Sequence, residues 1–188
     1  MENFILFLQI GFRHILEGYD HLLFLTGLII VTKDFKSILK VASAFTFTHS
    51  TTLILSALGV LSLNPNITET LIAASIAYVG IENLFLKDQK YRWVVAGSFG
   101  FVHGAGFSGH LTELLKSMLG MGNIWSPLIG FNAGIEAVQI LVIAAVFPLF
   151  YFLRKTGKQK IVVPAASLLI AAAGVFLVVY RIIAAQNY

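Results

Sequence analysis

Six long apolar runs, separated by short polar segments, leave this chain almost no soluble way to fold. They fall at about 4–31, 41–61, 69–86, 93–115, 128–153 and 161–183. Each suffices for a tilted helix crossing a bilayer, which takes about 20 residues. With 57% hydrophobic residues and a mean hydropathy of +0.85, the composition is that of an integral membrane protein. The expected fold is therefore all-α and polytopic, with residues 1–188 forming a single six-helix transmembrane domain. No loop is long enough to house a soluble domain. The first apolar run is too long for a signal-peptide core, so no separate leader is expected. The chain has no cysteine, which excludes disulfides and thiolate metal sites. It carries no nucleotide-binding motif, so it does not itself hydrolyse ATP; a partner ATPase stays open.

The basic residues give an orientation. Lys33, Lys36 and Lys40 lie in one loop, Lys87, Lys90 and Arg92 in a second, and Arg154, Lys155, Lys158 and Lys160 in a third. The intervening loops hold only Lys116 between them. The positive-inside rule then puts both termini outside. The net charge of +4 is thus a topology signal and not a nucleic-acid patch. The expected setting is a multi-pass protein of the cell (inner) membrane.

Ionisable residues inside these runs point to function, because a charge in hydrocarbon costs at least about 2.5 kcal/mol. The first run carries Arg13, His14, Glu17, Asp20 and His21. On one continuous helix, His14, Glu17 and His21 share about 60° of arc, and Asp20 and Arg13 fall within about 120°. Imidazoles and carboxylates on one face suit a divalent transition metal. His49 sits near mid-membrane in a run rich in Thr and Ser, whose hydroxyls read first as packing glue. The fourth run has five glycines in residues 97–109, with His103 and His110 seven apart and Glu113 three further on. Gly100 and Gly104 fit close helix packing; a local break that turns carbonyls to an ion is the functional alternative. Asn132, Glu136 and Gln139 form a stripe on the fifth run. Glu82 is a site candidate or the partner of a loop lysine, and Glu69 reads as helix-start chemistry. The sixth run has nothing ionisable before Arg181 and reads as scaffold. Phe12-x-His14-x6-His21-Leu22 in the first run is echoed by Phe101-x-His103-x6-His110-Leu111 in the fourth. That echo suggests a 3+3 inverted repeat, a common transporter plan with a midplane site.

The segment His14-Ile15-Leu16-Glu17-Gly18-Tyr19-Asp20-His21 resembles the His-Pro-x-x-Gly-x-Asp-His signature of the HupE/UreJ family of nickel permeases. Leu22–Leu25, Phe45-Thr46-x-x-His49-Ser50-x-Thr52-Leu53 and His103-Gly104-x-Gly106-Phe107 are similar to the same family, in particular its second branch. The resemblance implies a six-helix secondary permease for Ni2+ or Co2+. It implies metal roles for His14, Asp20 and His21, and for His49 and His103. Two departures bear on selectivity. Ile15 replaces the signature proline. Better-known members carry His-Gly-x-x-His-Gly-x-Glu in the fourth span, where this chain has Phe107 for the second histidine and His110 for the glutamate.

The leading expectation is a permease for Ni2+, with Co2+ or Zn2+ as alternatives. His14, Asp20, His21, His49 and His103 would form its site; Glu17, Glu82, His110, Glu113 and Glu136 are further candidates. His110 and Glu113 would lie towards an outer vestibule. The absence of cysteine argues against a Cu(I) path. Histidine titrates near neutral pH, so proton coupling fits. The main competitor is an intramembrane zinc hydrolase with Glu17, Asp20 or Glu136 as general base. A metal sensor or assembly subunit without flux is a third reading. The partners expected are the metal ion, the lipid bilayer and, compatibly, a second copy of the chain.

Overall fold

The computed structural model describes residues 2–85, 90–106, 113–114, 117 and 125–186. Within them lie seven helices: α1 (Glu2–Glu17), α2 (Tyr19–Val31), α3 (Phe35–Ala57), α4 (Pro65–Phe85), α5 (Arg92–Ala105), α6 (Trp125–Lys155) and α7 (Gln159–Ala185). The protein is all-α in these residues. Three helices, α3, α6 and α7, are long and apolar enough to cross a membrane. The α1–α2 pair makes a fourth candidate if it is one broken span. Glu69, Glu82 and Asn83 lower the apolar character of α4. The 14 described residues of α5 are only about 21 Å long, short of a hydrocarbon core of about 30 Å.

The first apolar run is not one straight helix. It breaks at Gly18, where ψ is 86°, and the two halves meet at 72°. Beyond the break, α2 is apolar on every side, as expected of a helix wrapped by others. It touches α1, α3, α4, α6 and α7, and buries Phe24, Leu25, Leu28, Ile29 and Ile30.

Three helix pairs build the rest of the bundle: α1 on α6, α3 on α5 and α4 on α7. Each rests on backbone approach at glycine. A Cβ on Gly11 would meet the Phe131 backbone 2.9 Å away, one on Gly104 would meet His49 at 2.9 Å, and one on Gly80 would meet Ala171 at 2.7 Å. Between apolar helices in lipid, such close contact is the main source of association. The Gly100/Gly104 pair is thus packing surface against α3, as its spacing predicts. Apolar side chains face outward, with Ile161, Leu169 and Phe176 on α7 exposed.

Polar groups fasten the C-terminal end of α2. The Gly27 carbonyl accepts from Asn83 Nδ2 at 2.9 Å and from Arg92 Nη2 at 3.0 Å. Arg154 Nη2 donates to the Ile30 and Thr32 carbonyls at 3.1 and 2.5 Å. Those carbonyls lie at the helix terminus, where partners are otherwise lacking. Two of the ten cations expected in loops are therefore structural: Arg92 opens α5 and Arg154 lies in the last turn of α6. Asp34 starts α3 as an N-cap: Ser37 donates its N–H at 2.9 Å and its hydroxyl at 2.7 Å to the carboxylate. Those bonds hold the Asp34 carboxyl below the usual carboxylate range.

Candidate metal centre

The break at Gly18 brings two histidines from adjacent helices together. His14 ends α1, His21 lies in the first turn of α2, and their rings stand 4.5 Å apart, edge to face. His49, from the middle of α3, completes a triad with ring centroids 5.8 Å from His14 and 5.9 Å from His21. One ligand atom from each lies within 4.8 Å of the other two. Two metal–nitrogen bonds of about 2.1 Å span at most about 4.2 Å, so a small inward turn of the rings closes the set on one ion. His49 is fully buried and His21 is 8% exposed. Neither ring nitrogen of His21 has a hydrogen-bond partner among the described residues. An unmet buried polar atom costs about 1–3 kcal/mol, so this imidazole is suited to a bound ion.

His103, from α5, stands beside the triad, its ring 5.0 Å from that of His21. Its Nε2 is 2.8 Å from Ser75 Oγ, and that hydroxyl donates its only proton to the Ile72 carbonyl at 2.6 Å. Ser75 must therefore accept from Nε2–H. The neutral ring then carries its lone pair on Nδ1, which is buried without a partner among the described residues. Such an outer hydrogen bond sets the tautomer a metal requires.

Aromatic rings wall the site. Phe131 lies 6.0 Å from His14, Phe45 lies 5.6 Å from His49, and Phe24 lies 4.9 Å from His103. A cavity of about 10 Å3, lined by His21, Phe24, Phe45 and Gln139 among others, adjoins it. That volume holds about one water molecule at most. Gln139 accepts from the Thr46 hydroxyl at 3.1 Å, and Asn132 accepts from Ser50, so two polar bonds tie α3 to α6. Thr48, Thr51 and Thr52 bond their own helix instead, the packing role expected of them.

The other sequence candidates lie elsewhere. Arg13 and Glu17 are exposed on α1, on either side of the half-buried His14, and the 72° bend parts all three from the direction of Asp20 and His21 on α2. Asp20 is ion-paired to Arg181 at 2.6 Å. Glu82 pairs with Arg92 at 2.9 Å and is not part of the triad; among the described residues no lysine bridges to it. Glu136 is exposed on the side of α6 that carries Ile129 and Ile140, while Asn132 and Gln139 turn inward. Glu113 is exposed, and His110 lies outside the described residues.

Sequence reasoning missed Arg181, Ser75, Gly18 and the three phenylalanines. Arg181 was detectable: a lone arginine in an apolar run demands a carboxylate. The role of Gly18 depends on contact. A Cβ there would lie 2.8 Å from His21 Nδ1 and 2.7 Å from the His14 carbonyl. Gly18→Ala is expected to weaken metal binding about tenfold, the scale at which displaced support for a ligand is felt. Its helical circular dichroism should stay that of the wild type; an unchanged metal affinity would show that the glycine only bends the chain.

No curated protein and no solved structure matches this chain. The family model described as HupE / UreJ protein matches residues 1–181. With that match over nearly its whole length, and three histidines gathered where the family's signature segment folds back at Gly18, the chain belongs to the HupE/UreJ family of membrane proteins.

Proposed function

We propose that this protein is a secondary permease for a divalent transition-metal ion, Ni2+ first, with Co2+ and Zn2+ as alternatives. The observation that carries this reading is the triad of half-buried His14 with buried His21 and His49. The family is associated with nickel and cobalt uptake. Neutral imidazole suits all three ions, and affinity order alone does not choose among them. His103 adjoins the triad, and Asp20, paired with Arg181 and one residue before His21, is a further ligand during passage in this reading. The metal is the cargo; the chain supplies donors, a dry aromatic wall and exits that let the ion leave.

The same reading takes the bundle as six spans, both termini outside, built as a 3+3 inverted repeat. Helix pairing supports it. Counting α1–α2 as the first span, exchange of the halves turns the α1 and α6 pair into the α5 and α3 pair and returns α4 and α7 to themselves. Those are the three main packed pairs. The contacts follow: Gly11 on Phe131 matches Gly100 on Phe45, and Gly80 on Ala171 matches Gly174 on Ala77.

A three-histidine set also suits a zinc hydrolase. Of the three candidate bases, Glu17 and Glu136 are exposed and Asp20 is paired with Arg181, so none stands free beside the triad among the described residues. The test is uptake of Ni2+, Co2+ and Zn2+ into proteoliposomes of the purified protein, with His49→Ala alongside. Saturable uptake lost in the variant is expected. One ion held stoichiometrically with no uptake would sink the permease and favour the enzyme or the sensor.

A further inference from the structure

Asp20 stands one residue before His21, yet its carboxylate is committed elsewhere. Its Oδ2 accepts from Arg181 Nη2 of α7 at 2.6 Å, and the two side chains are 16% and 11% exposed. Arg181 also donates Nη1 to the Glu69 carbonyl, and its Nε lies 3.9 Å from the Glu69 carboxylate. Asp20 Oδ1 is buried and has no hydrogen-bond partner among the described residues. An ionised carboxylate offers about four lone-pair sites, so much of its capacity is unspent. A fixed cation is therefore paired with the acid that immediately precedes His21, one of the three histidines of the candidate site.

We propose that Arg181 is the positioning residue that governs Asp20. It holds the carboxylate beside His21 while no ion is bound and yields Oδ2 to the arriving divalent cation. This rests on the metal-permease reading above. A guanidinium and a metal ion compete for one carboxylate, so binding the ion costs the loss of the ion pair. The site then binds more weakly than the same donors would without Arg181, which is what release requires. Glu69, already on the far side of Arg181, gives the guanidinium a partner when Asp20 turns away.

The test uses the full chain in lipid nanodiscs and proteoliposomes. Ni2+ affinity by calorimetry, and KM and maximal rate of uptake, are measured for the wild type, Arg181→Gln, Arg181→Lys, Asp20→Asn and Asp20→Asn with Arg181→Gln. Close charge pairs couple strongly, so Arg181→Gln should tighten Ni2+ binding about tenfold or more, with a lower maximal rate. Arg181→Lys, keeping the charge with fewer donors, should fall between. In the Asp20→Asn background the arginine change should shift affinity less than about twofold, its target being gone. An unchanged affinity in Arg181→Gln, or an equal shift in both backgrounds, overturns the proposal and leaves the metal site standing. If Arg181→Gln fails to fold, Arg181→Lys at wild-type affinity overturns it as well. A wild type with no saturable binding, or with binding indifferent to His21→Ala, instead refutes the metal reading itself and this one with it.

Discussion

Replacing His21 with alanine is expected to weaken Ni2+ binding by more than about 100-fold, since even an outer-shell partner is worth about 10–100-fold. The triad would be cut to His14 and His49, whose rings stand 5.8 Å apart. Two imidazoles cannot hold an ion as three do, and His103 lies outside the group whose ligand atoms come within 4.8 Å of one another. The fold should survive. α2 is anchored by its apolar side chains and by Arg92, Asn83 and Arg154, none of which touches His21 through the bonds described. His103→Ala should cost less, about tenfold, because that ring adjoins the triad without belonging to it. Calorimetry on the purified protein, with circular dichroism as a check on folding, distinguishes the two. An affinity in His21→Ala within about twofold of the wild type would put the ion elsewhere.

The largest effect on stability is expected at Arg92. Its guanidinium donates to Glu82 at 2.9 Å, to Asn83 Oδ1 at 2.6 Å and to the Gly27 carbonyl at 3.0 Å. The Arg92 and Glu82 side chains are 5% and 8% exposed. Arg92→Ala strands a buried carboxylate and should cost about 3–5 kcal/mol. For a chain of this size the thermal midpoint should fall by on the order of 10 °C. Arg92→Met combined with Glu82→Leu removes both charges and should recover most of that loss, because an ion pair and an apolar pair of similar volume are close in energy. If the double variant melts as low as Arg92→Ala, the stabilisation comes from Arg92's bonds to Asn83 and Gly27 and not from the ion pair.

Those two residues also mark how far a sequence can be read. Arg92 counts with the loop cations, because the positive-inside pattern depends only on number and spacing along the chain; in the structure it opens α5 and is buried. Its burial against Glu82 depends on α4 and α5 meeting, and nothing in the linear pattern reports that. Glu82 and Glu136 looked alike as acids in apolar runs. One found a guanidinium in the bundle and the other faces outward beside Ile129 and Ile140.

That the chain is helical and membrane-embedded, where its imidazoles lie and which family it joins are all legible in the linear order, because apolar length and motif identity need no fold to be read. Which polar groups meet is a matter of helix packing. A single helical face joined Arg13, His14, Glu17, Asp20 and His21 on paper. The bend at Gly18 parts Arg13, His14 and Glu17 from Asp20 and His21, and packing then gathers His14 and His21 with His49, pairs Asp20 with Arg181, and leaves Arg13 and Glu17 exposed. The physical reason is that periodicity fixes side-chain direction only within one continuous helix. Across a break, and between helices far apart in sequence, direction is set by backbone approach at glycines and by the need of each buried charge for a partner.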